Sequence, residues 1–102
     1  MKLRAFILGL LCAALANGTL RAQDWAKERL NKSPRHSEWV DLKSGDRTVK
    51  TFVVYPEVKE KAPVVLVIHE IFGLTDWAKS LADQLAAAGY IAVAPDLLSA
   101  PG

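Results

Sequence analysis

The run Ala62 to Gly73, APVVLVIHEIFG, sets the tightest limit on what this chain can fold into. Val64 to Ile68 is aliphatic at every position. Such a run leaves no side for water and fits a parallel strand buried on both faces. It stops at His69 and Glu70, and Gly73 then permits a sharp loop because glycine adopts backbone angles other residues avoid. Next, Ala78, Leu81, Ala82 and Leu85 recur at the i, i+3, i+4, i+7 spacing of a helical stripe. Thr75 or Asp76 is placed to cap that helix, and Gly89 to close it. Lys79 and Asp83 stand four apart and are expected to pair on its outer face. Tyr90 to Ala94 is a second strand, ended by Pro95. Strand, helix and strand at this spacing make a βαβ unit with two parallel strands.

Upstream, Ser37 to Leu42 and Thr48 to Tyr55 read as strands around the turn cluster Lys43-Ser44-Gly45-Asp46-Arg47, hence a hairpin. Val49, Thr51, Val53 and Tyr55 share one face of the second strand, with Phe52 and Val54 on the other, so it should be covered on both. Asp24 to Lys32 reads as a short helix, with Asp24 as its cap and Pro34 closing it. The expected class is α/β: a β-hairpin followed by a βαβ crossover in a mostly parallel sheet, within residues 37–102, preceded by a helical and linker segment at 23–36.

The first 22 residues have a different character. Lys2 and Arg4 precede a 12-residue apolar run, Ala5 to Ala16. That is too short to span a bilayer and suits the core of a signal peptide. Cleavage fits after Ala16 or after Ala22, and 1–22 is assigned as a signal peptide directing export to the periplasm or medium. An uncleaved anchor is the alternative. Cys12 is the only cysteine, and Leu11 before it does not suit lipidation. A mature chain from Gln23 therefore has no disulfide and no stable membrane anchor. It also loses Lys2, Arg4 and Arg21, which turns a net charge of +2 into 10 Lys+Arg against 11 Asp+Glu. No clustered basic face remains to contact nucleic acid. The 80 residues left would bury only about 60–65% of their unfolded surface, a marginal core.

Few residues could carry chemistry. In open α/β sheets ligands bind beyond the carboxyl ends of the strands. Glu70 lies at such an end. Flanked by Ile71 and Phe72, its carboxylate should be partly desolvated, which would suit it to proton transfer. It reads equally as a surface glutamate after a strand. His69 invites a metal, but a zinc-protease helix needs a histidine where Gly73 stands, and His36 is remote; a structural histidine fits better. Ser37, Ser44, Ser80 and Ser99 all lie outside a G-x-S-x-G elbow. Asp96 reads as a loop tie, and Trp25, Trp39 and Trp77 as packing residues. Neither G-x-G-x-x-G nor a P-loop is present, so nucleotide binding of those kinds is not expected; with the histidines unsuited to a metal, no cofactor is assigned.

The stretch APVVLVIHEIFGLTDWAKSLADQLAAAGYIAVAPDLL resembles the N-terminal part of the dienelactone hydrolases, a branch of the α/β-hydrolase fold. The likeness extends from about Ser37 to the end, with H-E-I-F-G and P-D-L as its marks. It implies a hydrolase acting on small-molecule esters or lactones through a cysteine, an aspartate and a histidine. It further implies that Glu70 contacts and tunes the nucleophile, and that the Ile71 backbone N–H contributes to the oxyanion hole. The family's nucleophile elbow, acid and base come later than this sequence reaches. The chain thus reads as the front of such an enzyme, inactive by itself. The arginine that binds the substrate carboxylate in true dienelactone hydrolases would fall near Ala100. A different ester or lactone is therefore expected as substrate.

Two rivals stand beside this reading. One is a serine acyl-hydrolase or peptidase on the same fold, and the other is an exported, non-catalytic binding protein. A G-x-C-x-G-G elbow in continuing sequence selects the first reading, G-x-S-x-G the second, and neither the third.

Overall fold

The computed structural model describes residues 23–99. The assigned signal peptide, both cleavage positions, Cys12 and Ala100 lie outside the described residues. Helix α1 covers residues 23–31, strand β1 Ser37–Ser44, β2 Arg47–Val54, β3 Val64–Leu66, helix α2 Asp76–Ala87 and β4 Ile91–Pro95. The four strands form one sheet in the order β1-β2-β4-β3.

β1 and β2 pair from Ser37↔Val54 to Ser44↔Arg47, which leaves Gly45 and Asp46 as a two-residue turn. Gly45 has φ +60°. A left-handed first turn residue gives the twist that a tight hairpin needs, and glycine adopts it without strain. β2 then pairs antiparallel with β4, and β4 pairs parallel with β3 through Val64↔Ile91, Val65↔Ala92 and Leu66↔Val93. The βαβ unit is therefore present. The described sheet has one parallel pairing and two antiparallel ones, because the hairpin joins it through β2.

α2 forms where its caps place it. Thr75 accepts a hydrogen bond on its side chain from the Ala78 N–H at 3.3 Å. At the other end Gly89, with φ +103°, donates to the Ala86 carbonyl, and Tyr90 donates to the Leu85 carbonyl. This paired closure satisfies two carbonyls of the last turn. Thr75→Ala should lower stability by about 1 kcal/mol, the usual worth of an N-cap, with the urea midpoint as the measure. An unchanged midpoint would show that the cap contributes nothing.

The core lies between α2 and one face of the sheet. It comprises Phe52, Val54, Val67, Ala92 and Ala94 from the sheet and Ala82 and Ala86 from the helix, with Leu30, Leu74, Leu81 and Leu85 packed around them. Ala78, Ala82 and Ala86 form one small-residue row, so the helix can approach β4 closely. β2 is covered on both faces as expected: Thr51, Phe52, Val53 and Val54 are all buried.

Several expectations need correction. The aliphatic run forms a strand only over Val64–Leu66, and Val64 to Ile68 is buried on one face only: Val67 enters the core, whereas Val64, Leu66 and Ile68 are each 60–67% exposed. β3 is the last strand in the sheet order, and no described residue covers the face away from α2 at these positions. The ladder to β4 uses the Pro63 carbonyl and the Val67 N–H, so the alternating groups of Val64, Leu66 and Ile68 point outward from the sheet. Asp24 lies within α1 rather than capping it. Trp25, Trp39 and Trp77 are 44–53% exposed, so they flank the core without filling it.

Asp83 does not pair with Lys79. Lys79 reaches Asp76 at 3.1 Å, while Asp83 is buried against the chain entering β1. There Asp83 accepts from Ser33 Oγ at 2.5 Å, Arg35 Nε at 3.0 Å and Arg35 Nη2 at 2.8 Å. The i, i+4 spacing permits the Lys79 contact, but a two-pronged guanidinium in a dry site makes stronger hydrogen bonds than an exposed ammonium.

Candidate functional site

Two loops meet beyond the carboxyl ends of the parallel strands β3 and β4. The first is a tight turn closed by the Gly73 N–H donating to the Glu70 carbonyl at 3.1 Å. Ile71 and Phe72 are its central residues. Gly73 has φ +80°, and a Cβ there would lie 3.1 Å from Leu98 Cδ1. Both the backbone angle and the neighbouring loop demand glycine.

The second loop, after β4, is held from several sides. Asp96 Oδ1 accepts from the Leu98 N–H at 3.2 Å, and the Asp96 carbonyl accepts from Ser99 Oγ at 2.6 Å. Ser99 Oγ in turn accepts from the Lys50 N–H at 3.0 Å, which moors the loop to β2. Asp96 is the loop tie its position suggested.

His69 joins the two loops. Its Nε2 accepts from the Leu97 N–H at 2.9 Å, and its Nδ1 lies 2.6 Å from the Glu70 carbonyl. A backbone N–H can only donate and a carbonyl can only accept, so the ring is neutral with its proton on Nδ1. Asp96 Oδ1 stands 3.8 Å from Nε2. It makes no ion pair with a ring nitrogen that is already serving as an acceptor. His69 is thus a structural histidine, its side chain 5% exposed. His36 is elsewhere, stacked on Tyr55 with ring centroids 5.5 Å apart. Both nitrogens of His69 are engaged by backbone, so it is not free to act as a base.

Glu70 and Ile71 sit together at the mouth of this arrangement. Glu70 is exposed, which corrects the expectation of partial desolvation. The flanking side chains do not fold over it: Ile71 is 85% exposed and Phe72 77%. Among the described residues the Ile71 N–H has no hydrogen-bond partner. An exposed backbone donor beside a carboxylate, after a parallel strand and on loops that also expose Ile68, Ile71, Phe72, Leu97 and Leu98, can receive a developing negative charge on a bound oxygen. Sequence reading singled out Glu70 from its place after the strand, and Ile71 only through the family resemblance. It missed the Leu97 N–H, which nothing in the local pattern marks.

The serines bring no nucleophile to this point. Ser33 is engaged with Asp83 and Ser99 with Asp96 and Lys50, while Ser80 is buried in α2 with its hydroxyl unpartnered.

A hairpin leading into a βαβ unit, with a free backbone donor at the strand end, is the architecture of one part of an α/β-hydrolase sheet. The profile of the Dienelactone hydrolase family matches residues 49–101, and the chain belongs to that family. It is 42% identical over 60 residues to "Putative hydrolase fragment YghX" of Escherichia coli (strain K12), covering 58% of this chain and 51% of that protein. It is 45% identical over 49 residues to "Putative carboxymethylenebutenolidase" of Saccharolobus solfataricus, covering 48% of this chain and 18% of the relative. Among solved structures, the "Putative Dienelactone Hydrolase from Klebsiella pneumoniae subsp. pneumoniae MGH 78578" matches with a TM-score of 0.58 and 28% identity, over 62% of this chain and 27% of that one. The chain thus spans about half the length of the first of these relatives and far less of the others.

Proposed function

We infer that these residues supply the oxyanion-binding turn of an exported carboxylic ester or lactone hydrolase. The observation that carries the reading is the unpartnered Ile71 N–H beside Glu70 at the end of β3, in a chain of this family. The Ile71 N–H stabilises the oxyanion as the ester carbonyl is attacked. Glu70 sets the protonation of the attacking group. Nucleophile and base come from outside residues 23–99, because His69, Ser33 and Ser99 are engaged, Ser80 is buried, and Ser37 and Ser44 lie on β1 at the opposite edge of the sheet from β3. The apolar rim favours a small, largely non-polar substrate. The relatives named for carboxymethylenebutenolide hydrolysis support a lactone or an ester. The apolar run at Ala5 to Ala16 supports export.

The test is ester hydrolysis in the polypeptide that joins these residues to the nucleophile. Glu70→Gln should lower kcat/KM by at least about tenfold, since proton-transfer roles are commonly worth 10²–10⁴-fold. Residues 1–102 alone should give no rate above background. An unchanged kcat/KM in the variant would remove Glu70 from the chemistry. Hydrolysis by residues 1–102 alone would show that the nucleophile lies among them.

A further inference from the structure

We propose that His69 is a positioning residue for the Ile71 N–H, acting through the one peptide unit they share. The proposal rests on the oxyanion role given to Ile71 above.

The Glu70 carbonyl and the Ile71 N–H belong to the same planar peptide group. Fixing the direction of one fixes the direction of the other. The Glu70 oxygen receives two donors: the Gly73 N–H at 3.1 Å from within the turn, and His69 Nδ1–H at 2.6 Å from the preceding residue. The second contact is the shorter and has its own anchor. His69 Nε2 is held at 2.9 Å by the Leu97 N–H, whose loop is moored through Ser99 to β2. The imidazole is therefore a strut: one end is fixed to the loop after β4, and the other grips the peptide that carries the donor. The turn needs such a strut. Ile71 and Phe72 are almost fully exposed, so packing does not hold the turn in place. A preorganised donor does its work without reorganising during the reaction, which is why its orientation matters.

The two ring nitrogens make separable contributions. Asparagine places an amide donor near the position of Nδ1, so His69→Asn can keep the Glu70 contact while losing Leu97. Glutamine places an acceptor near Nε2, so His69→Gln can keep Leu97 while losing Glu70.

The decisive measurement is NMR on the full 15N-labelled chain, which needs no catalysis. In the unsubstituted protein, scalar coupling across the hydrogen bond between Leu97 N and His69 Nε2 should be visible, with the ring proton on Nδ1. A ring protonated on Nε2 overturns the proposal. The Ile71 N–H order parameter should be near the rigid value of about 0.85 and should fall to about 0.6 or lower in His69→Gln. In His69→Asn it should stay near the unsubstituted value. A histidine with only a structural role would lower the unfolding midpoint in both variants and leave Ile71 equally ordered in each, which also overturns the proposal. If either variant fails to fold, the ring tautomer and the coupling in the unsubstituted chain decide. A failure here leaves the Glu70→Gln result standing, so the two ideas are separately exposed.

Discussion

Replacing Ile71 with proline should cut kcat for ester hydrolysis about a hundred- to a thousandfold, the usual effect of deleting one oxyanion donor. The substitution removes the N–H and little else. Ile71 is 85% exposed, so little packing is lost. It occupies the second position of the turn closed by Gly73 and Glu70, where proline is favoured. Its φ is not positive, as proline's ring requires. The measurement is kcat and KM on a simple ester in the polypeptide that carries the nucleophile, beside the unfolding midpoint. A large fall in kcat with an unchanged midpoint is the expected pattern. Full kcat in the proline variant would mean that another group holds the oxyanion.

Asp83→Asn should destabilise the fold by about 3 kcal/mol, the low end of the cost of breaking a buried ion pair by removing one partner. Asp83 is 2% exposed, and the Arg35 side chain facing it 14%. Asparagine leaves the guanidinium desolvated against a neutral amide whose NH₂ cannot accept. Glu57, 3.5 Å from Arg35, is largely exposed and offers only weak compensation. Burial by itself pushes the Asp83 carboxyl up, but hydrogen bonds from Arg35 and Ser33, with the charges of Arg35 and Arg29, bring it below the ordinary carboxylate value. A depressed folded pKa fixes the sign. The stabilisation is complete above the unfolded value of about 3.9 and is lost as pH falls through the lower folded value. Urea unfolding should therefore separate the two proteins widely at pH 7 and much less in strong acid. A difference below about 1 kcal/mol at pH 7 would show that the pair is not a structural tie.

The parts of this fold that were legible in the sequence are those written in local chemistry. Thr75, the alanine and leucine stripe and Gly89 each act on backbone within a few residues, so the ends of α2 could be read directly. The Gly45 turn likewise specifies the hairpin. What could not be read depends on partners far along the chain. Asp83 looked like one half of an i, i+4 pair because helical spacing is all that a local reading sees; Arg35 is 48 residues away. The β3 run looked doubly buried because its composition is uniform, yet its surroundings differ on its two faces. At the site, position singled out Glu70, and only the family likeness pointed to Ile71. The engagement of His69 with Leu97, 28 residues on, emerges only when the two loops are brought together.

The strand order has a consequence for how the chain reaches this state during synthesis. β4 lies between β2 and β3, and each of them bonds to it rather than to the other. The strand that joins the sheet together is thus the last of the four to leave the ribosome. At about 5–20 residues per second, the interval between Val64 and Pro95 is on the order of seconds. Through that interval the hairpin can close on itself, but Val64 to Ile68 has no native strand to pair with. A nascent aliphatic segment waiting that long is what holdase chaperones bind.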